Sequence, residues 1–468
     1  MRNKGKVYLV GAGPGGHDLI TVRGMKILEQ ADVVVYDYLA DKSILKYAKP
    51  GTELICADEL SPEKHSDSFI KKQKLVNEIL VKKAKQGKKI VRLKNGDPFI
   101  FGRATEELNV LVKNNMDFAV IPGVTSASAA ACFSGIPLTS RDCSSSVVFV
   151  TGHEAVDKKG NCIDWGKIAL MDTVVLYMAM ENLSQIAGKL IASGKSPDTP
   201  AAVISNVTKI NQKFVAGTLK NIKDKIKIQN IPAPAIVIIG EVVKREKHFN
   251  WFRKAKKIIF TGLSPERFFE KGLIFHIPAI EIKPSEDYGE LDNRIKKIEM
   301  IDWVIFTSRF GVYYFFERLY KSGYDVRALS GINIAAIGSS TANKLKEYGI
   351  AADLTPEEEC SAGLLSEFKK INIKGRKILL PRSDIADKGL TGGLRKLGAE
   401  VFPCVAYRNV MPENLPDMNF DFFDEVIFSS PSTVRNFIKR YGMPPERIKI
   451  RAIGPVTKKE AGKYGMNV

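Results

Sequence analysis

The stretch KVYLVGAGPGG, Lys6 to Gly16, runs an apolar segment of strand length straight into a glycine-rich turn. Glycines at Gly11, Gly13, Gly15 and Gly16 let the backbone pass close to a ligand and leave amide groups free to point outward. A dinucleotide fingerprint would need a further glycine opening a helix, and Pro14 in the turn disfavours that reading. Taken alone, the motif also fits an ordinary tight strand–helix turn. Outward from it, strand-sized apolar runs alternate with amphipathic helical patterns: DVVVYD, KKIVRL, DFAVIPG, SVVFVTG, TVVLYM, AAVISN and AIVIIGEVV. That alternation predicts α/β layers. After Val243 the chain turns charged and loses its strand pattern in KREKHFNWFRKAKK, and a new strand, KIIFTG, follows. We place a boundary between Lys244 and Lys256, giving domains 1–245 and 257–468.

The second half contains an internal repeat. DWVIFTSRFGVYYFFERL from Asp302 matches DEVIFSSPSTVRNFIKRYG from Asp424, and INIAAIGSSTANKLKEYGI matches IKIRAIGPVTKKEAGKYGM. In the latter pair Gly338, Thr341 and Gly349 precede Gly454, Thr457 and Gly465 by the same 116 residues. Two copies of a strand–loop–helix pair predict two similar α/β subdomains with loops able to face one another across a cleft. After Gly465 only Met466, Asn467 and Val468 follow, so the second copy is expected to lack its last strand and helix.

At 468 residues two or three domains are expected, and 44% hydrophobic with 26% charged residues is ordinary for a globular chain. No apolar run is long enough to span a bilayer, and no room is left for a signal peptide, so the expected location is the cytoplasm, away from membranes. Six cysteines without paired spacing argue against a disulfide framework and against a metal site. The net charge of +19 favours anionic partners, although lysines spread along helical faces also make an ordinary solvated surface.

Longer motifs of the first half add specificity: RLKNGDPFIFGRATEE, IPGVTSASAAACFSGIPLTSR, VVFVTGHE, VVLYMAMENL, TPAAVISNVT and APAIVIIGEVV, in that order. Together they resemble the uroporphyrinogen-III C-methyltransferases over nearly all of residues 4–245. The resemblance implies a two-lobed tetrapyrrole-methylase fold, not a Rossmann fold, holding S-adenosylmethionine between its lobes. It points to Pro14, Gly96, Asp97, Thr125, Ser126, Tyr177, Met178 and Ala202 as donor-binding positions, and to Asp97 and Arg103 as groups that orient the reaction. Lys64 is the implied substrate-binding residue of a basic loop, with Gln73 beyond it. The chain departs from the family at Gly16, Asn95, Ala104 and Thr105, and at His65 and Phe69 of that loop. A mostly neutral histidine replaces an arginine able to grip a carboxylate with two bonds.

After Lys256 the chemistry-bearing positions are hydroxyl-rich loops at strand ends, where open α/β sheets bind ligands but where Ser and Thr more commonly serve as helix N-caps. The stretches DWVIFTSRFGV, AAIGSSTANKLKEYGIAAD, KILLPRSDIA, LRKLGAEVFPCVAYRNV, DEVIFSSPSTVRNF and AIGPVTKKEAGKYG resemble uroporphyrinogen-III synthase. That family implies a pair of flavodoxin-like α/β subdomains joined by a hinge, working without a cofactor. It points to Thr307, Ser308, Thr341, Arg382, Ser383, Ser429, Ser430 and Thr457 as substrate-binding positions. Tyr407 is the implied acid for a departing hydroxyl, or a buried tyrosine that packs at the hinge. Asp387 stands where the family often has an arginine.

The two resemblances imply consecutive steps: cyclisation of hydroxymethylbilane to uroporphyrinogen III, then methylation to precorrin-2 on the siroheme and cobalamin branch. An active synthase with a degenerate methyltransferase is the alternative. RNA binding or methylation is disfavoured, since no aromatic-interleaved basic stretch is visible. Small-molecule substrates are the expected partners, without nucleic acid, and a homodimer through the first half is implied by resemblance.

Overall fold

The computed structural model of the chain describes residues 5–60, 66–153 and 163–468, with backbone alone at 66–70. The chain divides into two compact units, Met1–Ala255 and Lys256–Val468. In the first unit β1 (Lys6–Gly11), β2 (Val33–Tyr36), β3 (Glu53–Cys56), β4 (Lys89–Lys94) and β5 (Asp117–Ile121) form an all-parallel sheet ordered β3-β2-β4-β1-β5. Val7, Leu9, Val33, Val35 and Ile90 are buried in one of its cores, as a parallel sheet covered on both faces requires.

β6 (Val147–Thr151), β7 (Thr173–Tyr177), β8 (Pro200–Ser205), β9 (Lys213–Thr218) and β10 (Ala235–Ile239) form a second sheet ordered β6-β7-β10-β8-β9. Only β6 and β7 run parallel; every other pairing is antiparallel. A parallel lobe followed by a mixed one is not a Rossmann arrangement, whose two halves repeat the same parallel unit. The charged stretch after Val243 folds onto this unit as the short helices Glu246–Phe249 and Trp251–Lys254. Trp251 Nε1 donates to the Cys132 carbonyl at 2.8 Å, and the Phe133 ring lies 5.3 Å from both Trp251 and Phe252. The close fit depends on Gly135, where a Cβ would stand 2.2 Å from the Phe249 backbone.

The second unit contains β11 (Lys257–Phe260), β12 (Leu273–His276), β13 (Glu281–Pro284), β14 (Trp303–Phe306), β15 (Asn333–Ala336), β16 (Lys377–Ser383), β17 (Glu400–Val410), β18 (Glu425–Phe428) and β19 (Lys449–Ala452). They build a parallel sheet β12-β11-β18-β19 and a second sheet β13-β17-β16-β14-β15, in which only edge strand β13 is antiparallel. The chain leaves the first of these after β12, completes the other, and returns for β18, so two connections join the subdomains. The repeat occupies both: β15 with helix Ser339–Lys346 matches β19 with helix Pro455–Gly462, element for element. Phe306, Phe315 and Phe316 are fully buried in one core, each contributing on the order of 2–3 kcal/mol. Among the described residues no helix is long and apolar enough to cross a membrane.

Candidate active sites

In the first unit, loops following five strands are tied together by hydrogen bonds. The turn after β1 bridges the loop after β4, with Gly96 N donating to the Gly13 carbonyl at 2.8 Å. Asp97 accepts from Phe99 N at 2.8 Å and from Gly123 N at 3.0 Å, joining that loop to the one after β5. Thr125 Oγ1 lies 2.6 Å from the Tyr177 hydroxyl at the end of β7, and that hydroxyl also accepts from Ala127 N. Gly16 N donates to Thr208 Oγ1 at 3.0 Å, closing the set on the loop after β8.

Glycine is required where these loops touch. A Cβ on Gly123 would lie 2.2 Å from the Gly96 carbonyl oxygen, and one on Gly11 would lie 2.6 Å from the Gly123 backbone. Met178, Asn206 and Thr208 all hold left-handed backbone around the same set, strain of the kind that collects at functional sites.

Of the sequence-identified positions, Pro14, Gly96, Asp97, Thr125, Ser126, Tyr177 and Met178 lie on these linked loops. Tyr177 is buried, and burial pushes its phenol up, while the bonds from Thr125 and Ala127 oppose the rise. Met178 beside it is exposed. Ala202 lies within β8, fully buried in a core with Val175, Ala127 and Ile204, and apart from the linked loops. Both Asp97 oxygens serve backbone amides, which makes it a loop fastener. Arg103 is exposed at the N-cap of helix Ala104–Lys113 in left-handed conformation. Lys64 and His65 lie outside the described residues, as does the side chain of Phe69.

Sequence reasoning missed an ionic cluster beside this set. Arg92 of β4, nine-tenths buried, binds Glu107 at 2.8 Å and also Asp37, which follows β2. Lys94 donates to both Glu107 oxygens, at 2.9 and 3.0 Å, and Gln73 reaches the same carboxylate. Burial, then the neighbouring Arg92, push the Lys94 ammonium below its ordinary pKa, with Glu107 opposing. Burial works against the Arg92 charge too, but Asp37 and Glu107 outweigh it and raise its pKa. Asp37 itself is partly exposed, and Tyr38, Leu39, Phe99 and Phe101 nearby in sequence to these loops are exposed apolar residues. The available signal was a period of two: Arg92 and Lys94 share one face of a strand whose other buried residues are apolar.

In the second unit the site residues collect at the carboxyl ends of parallel strands. Ser308 caps helix Arg309–Lys321 by accepting from Gly311 N at 2.9 Å, and its Oγ also lies 2.8 Å from the Tyr407 hydroxyl. Tyr407 is buried, stacked against Tyr314 with ring centroids 6.0 Å apart. Burial pushes its phenol up; Asp384 adds to the rise, and Ser308 and Arg382 oppose it. Arg382, buried at the end of β16, donates to Thr391 Oγ1 at 2.8 Å and to the Asp387 carbonyl. Burial holds its pKa below the ordinary arginine value. Ser383 Oγ donates to Asp384 at 2.9 Å.

Thr307, Ser308, Arg382, Ser383 and Tyr407 therefore lie together, while Thr341 is buried in the helix after β15. Ser429, Ser430 and Thr457 belong to the other subdomain. Ser430 forms a capping box with Thr433, so here a hydroxyl does serve as a helix cap. Arg309 Nη2 donates to Ser264 Oγ at 2.5 Å, joining the loop after β14 to the loop after β11. The strand ends of the two subdomains thus face one another.

Residues 6–223 match the family model of the tetrapyrrole (corrin/porphyrin) methylases, and residues 270–468 match that of uroporphyrinogen-III synthase HemD. A porphyrin biosynthesis protein HemD of Ruminiclostridium josui is 34% identical, over 99% of this chain and 94% of its own. A uroporphyrinogen-III C-methyltransferase of Methanocaldococcus jannaschii is 48% identical, over 51% of this chain and 97% of its own. Among solved structures, a uroporphyrin-III C-methyltransferase from Thermus thermophilus complexed with S-adenosyl homocysteine is 33% identical over 51% of this chain and 99% of that one, with a TM-score of 0.43.

Proposed function

Because the chain belongs to the tetrapyrrole methylases through its first unit and to the uroporphyrinogen-III synthases through its second, we propose that it carries out consecutive steps of tetrapyrrole synthesis. The second unit removes water from hydroxymethylbilane, inverts the last pyrrole ring and closes the macrocycle to uroporphyrinogen III. The first methylates that product to precorrin-2, on the branch towards siroheme and cobalamin. The reading is carried by one observation: similarity to a porphyrin biosynthesis relative runs through both units, each of which has its own cluster of loops.

For methylation the residues present fit a sulfonium nucleoside. Such a donor needs backbone partners, an apolar wall and no metal, and the linked loops supply glycine backbone with Tyr177, Met178 and Phe101 beside it. S-adenosylmethionine, when bound, supplies an electrophilic methyl group. Pro14, Gly96, Thr125, Ser126, Tyr177, Met178 and the Ala202 backbone would hold it, while Asp97 fixes the loops. Alignment then provides most of the acceleration. The attacked ring carbon already bears a side chain and has no hydrogen to lose, so the compensating proton leaves from elsewhere in the macrocycle, and Asp37, partly exposed beside Arg92, is the carboxylate we assign to receive it. Lys64 and Arg103 would meet substrate carboxylates.

For cyclisation, Tyr407 donates its proton to the departing hydroxyl, and Ser308 steadies the phenolate left behind. Arg382, Ser383, Thr307, Thr341, Ser429, Ser430 and Thr457 position the linear tetrapyrrole between the subdomains. The basic chain suits a polycarboxylate substrate.

A degenerate methyltransferase is the second reading, motivated by the departures at Gly16, Asn95, Ala104 and Thr105. Their local structure speaks for activity. Asn95, Ala104 and Thr105 hold no left-handed backbone, so none of these positions needs a glycine for its conformation, and Ala104 packs into a core. Uroporphyrinogen III offered with S-adenosylmethionine tests the choice. A doubly methylated product supports turnover; donor binding with no methyl transfer establishes the degenerate reading instead.

A further inference from the structure

Arg309 is the first residue of helix Arg309–Lys321, directly after Ser308, whose hydroxyl meets Tyr407. Its guanidinium reaches across to Ser264 in the opposite subdomain and lies 5.0 Å from the centre of its own neighbour's ring, Phe310, which is in turn 6.0 Å from that of Tyr407. Several arginines of the unit are neutralised, Arg318 by Asp292, Arg376 by Asp302 and Arg451 by Glu425, whereas Arg382 beside the same site meets only a hydroxyl and a carbonyl. Arg309 has no carboxylate partner among the described residues, and it is only partly buried.

A guanidinium presents five N–H donors in a planar fork and carries a full charge. A serine hydroxyl answers one of those donors and none of the charge. A carboxylate answers two donors and the charge together, and such bonds are roughly twice as strong as neutral ones. We propose that Arg309 is a carboxylate receptor of the synthase cleft, exchanging its bond to Ser264 for a carboxylate of the linear tetrapyrrole. This rests on the synthase reading of the second unit. The exchange makes and breaks hydrogen bonds alone. Because the bond to Ser264 spans the strand ends of both subdomains, releasing it also frees them to adjust around the substrate.

The competing role is a strut, in which the Arg309–Ser264 bond merely holds the subdomains together. Steady-state kinetics with hydroxymethylbilane, following the type-III ring, separates the two. As a receptor, Arg309→Gln raises KM about tenfold or more, the loss of one charge-assisted pair, with kcat within about twofold. Arg309→Lys keeps the charge without the fork and falls between. Ser264→Ala leaves KM no higher than that of the unaltered protein. Equal rises in KM for Ser264→Ala and Arg309→Gln would establish the strut and overturn the receptor, as would an unchanged KM in Arg309→Gln. If the unaltered protein yields only the spontaneous type-I ring, the synthase reading itself falls, and the receptor with it.

Discussion

At the scale of single residues, Tyr407 carries the sharpest commitment. Its phenol is buried, stacked on Tyr314 and bonded to Ser308, and burial raises its pKa, so it stays protonated as pH climbs through the ordinary tyrosine range. Tyr407→Phe keeps the stacked ring and removes only the proton. It should lower kcat for cyclisation on the order of a hundredfold while the protein melts near its original temperature. A near-unchanged kcat would return Tyr407 to a packing role. Glu425 tests the electrostatics. It is buried, and burial alone would raise its carboxyl, but Lys256 and Arg451 together hold it below its ordinary value of 4.5. A depressed carboxyl contributes stability that is present above the unfolded value and lost as pH falls through the folded one. Glu425→Gln should therefore cost about 2 kcal/mol at pH 7, discounted for its two partly exposed partners, and much less at pH 3. Urea unfolding at the two pH values checks this; equal losses at both would contradict it.

At the scale of elements, the first unit depends on backbone touching backbone. Gly123 cannot carry a Cβ without meeting the Gly96 carbonyl at 2.2 Å, whereas Gly188, within helix Leu183–Ala192, has open space around it. Gly123→Ala should weaken binding of S-adenosyl homocysteine by more than about tenfold and destabilise the unit by about 2 kcal/mol. Gly188→Ala should stabilise it by about 0.5–1 kcal/mol through helix propensity and leave binding unchanged. Calorimetry of both variants decides; tight binding by Gly123→Ala would mean the loops adapt. The glycine turn after β1 was legible because glycine and proline restrict backbone locally. Why those glycines matter was not, since Gly11, Gly96 and Gly123 meet only once β4 and β5 flank β1. The Asp37–Arg92–Glu107 cluster stayed hidden for a related reason: the two-residue spacing puts Arg92 and Lys94 on one strand face, but sheet order and helix packing decide which carboxylates they meet. Capping at Ser308 and Ser430 was legible as a general use of hydroxyls, but the Ser308–Tyr407 bond spans 99 residues and has no local signature.

At the scale of the whole molecule, the constant offset between Gly338 and Gly454 announced a duplication, and the structure realises it as matching strands and helices in two separate sheets. What the repeat could not announce is the crossing order, in which one sheet is interrupted by the other between β12 and β18. The charged segment after Val243 reads as a boundary, yet Trp251 and Phe252 pack on the first unit, because aromatic residues dispersed among charges leave no periodic trace. With both units at work, one chain makes a type-III macrocycle and then methylates it. Purified protein incubated with hydroxymethylbilane, with and without S-adenosylmethionine, and its products resolved by mass and isomer, tests this most directly. Uroporphyrinogen III is expected without the donor, and a doubly methylated type-III product with it. Only the type-I ring in both incubations would contradict this.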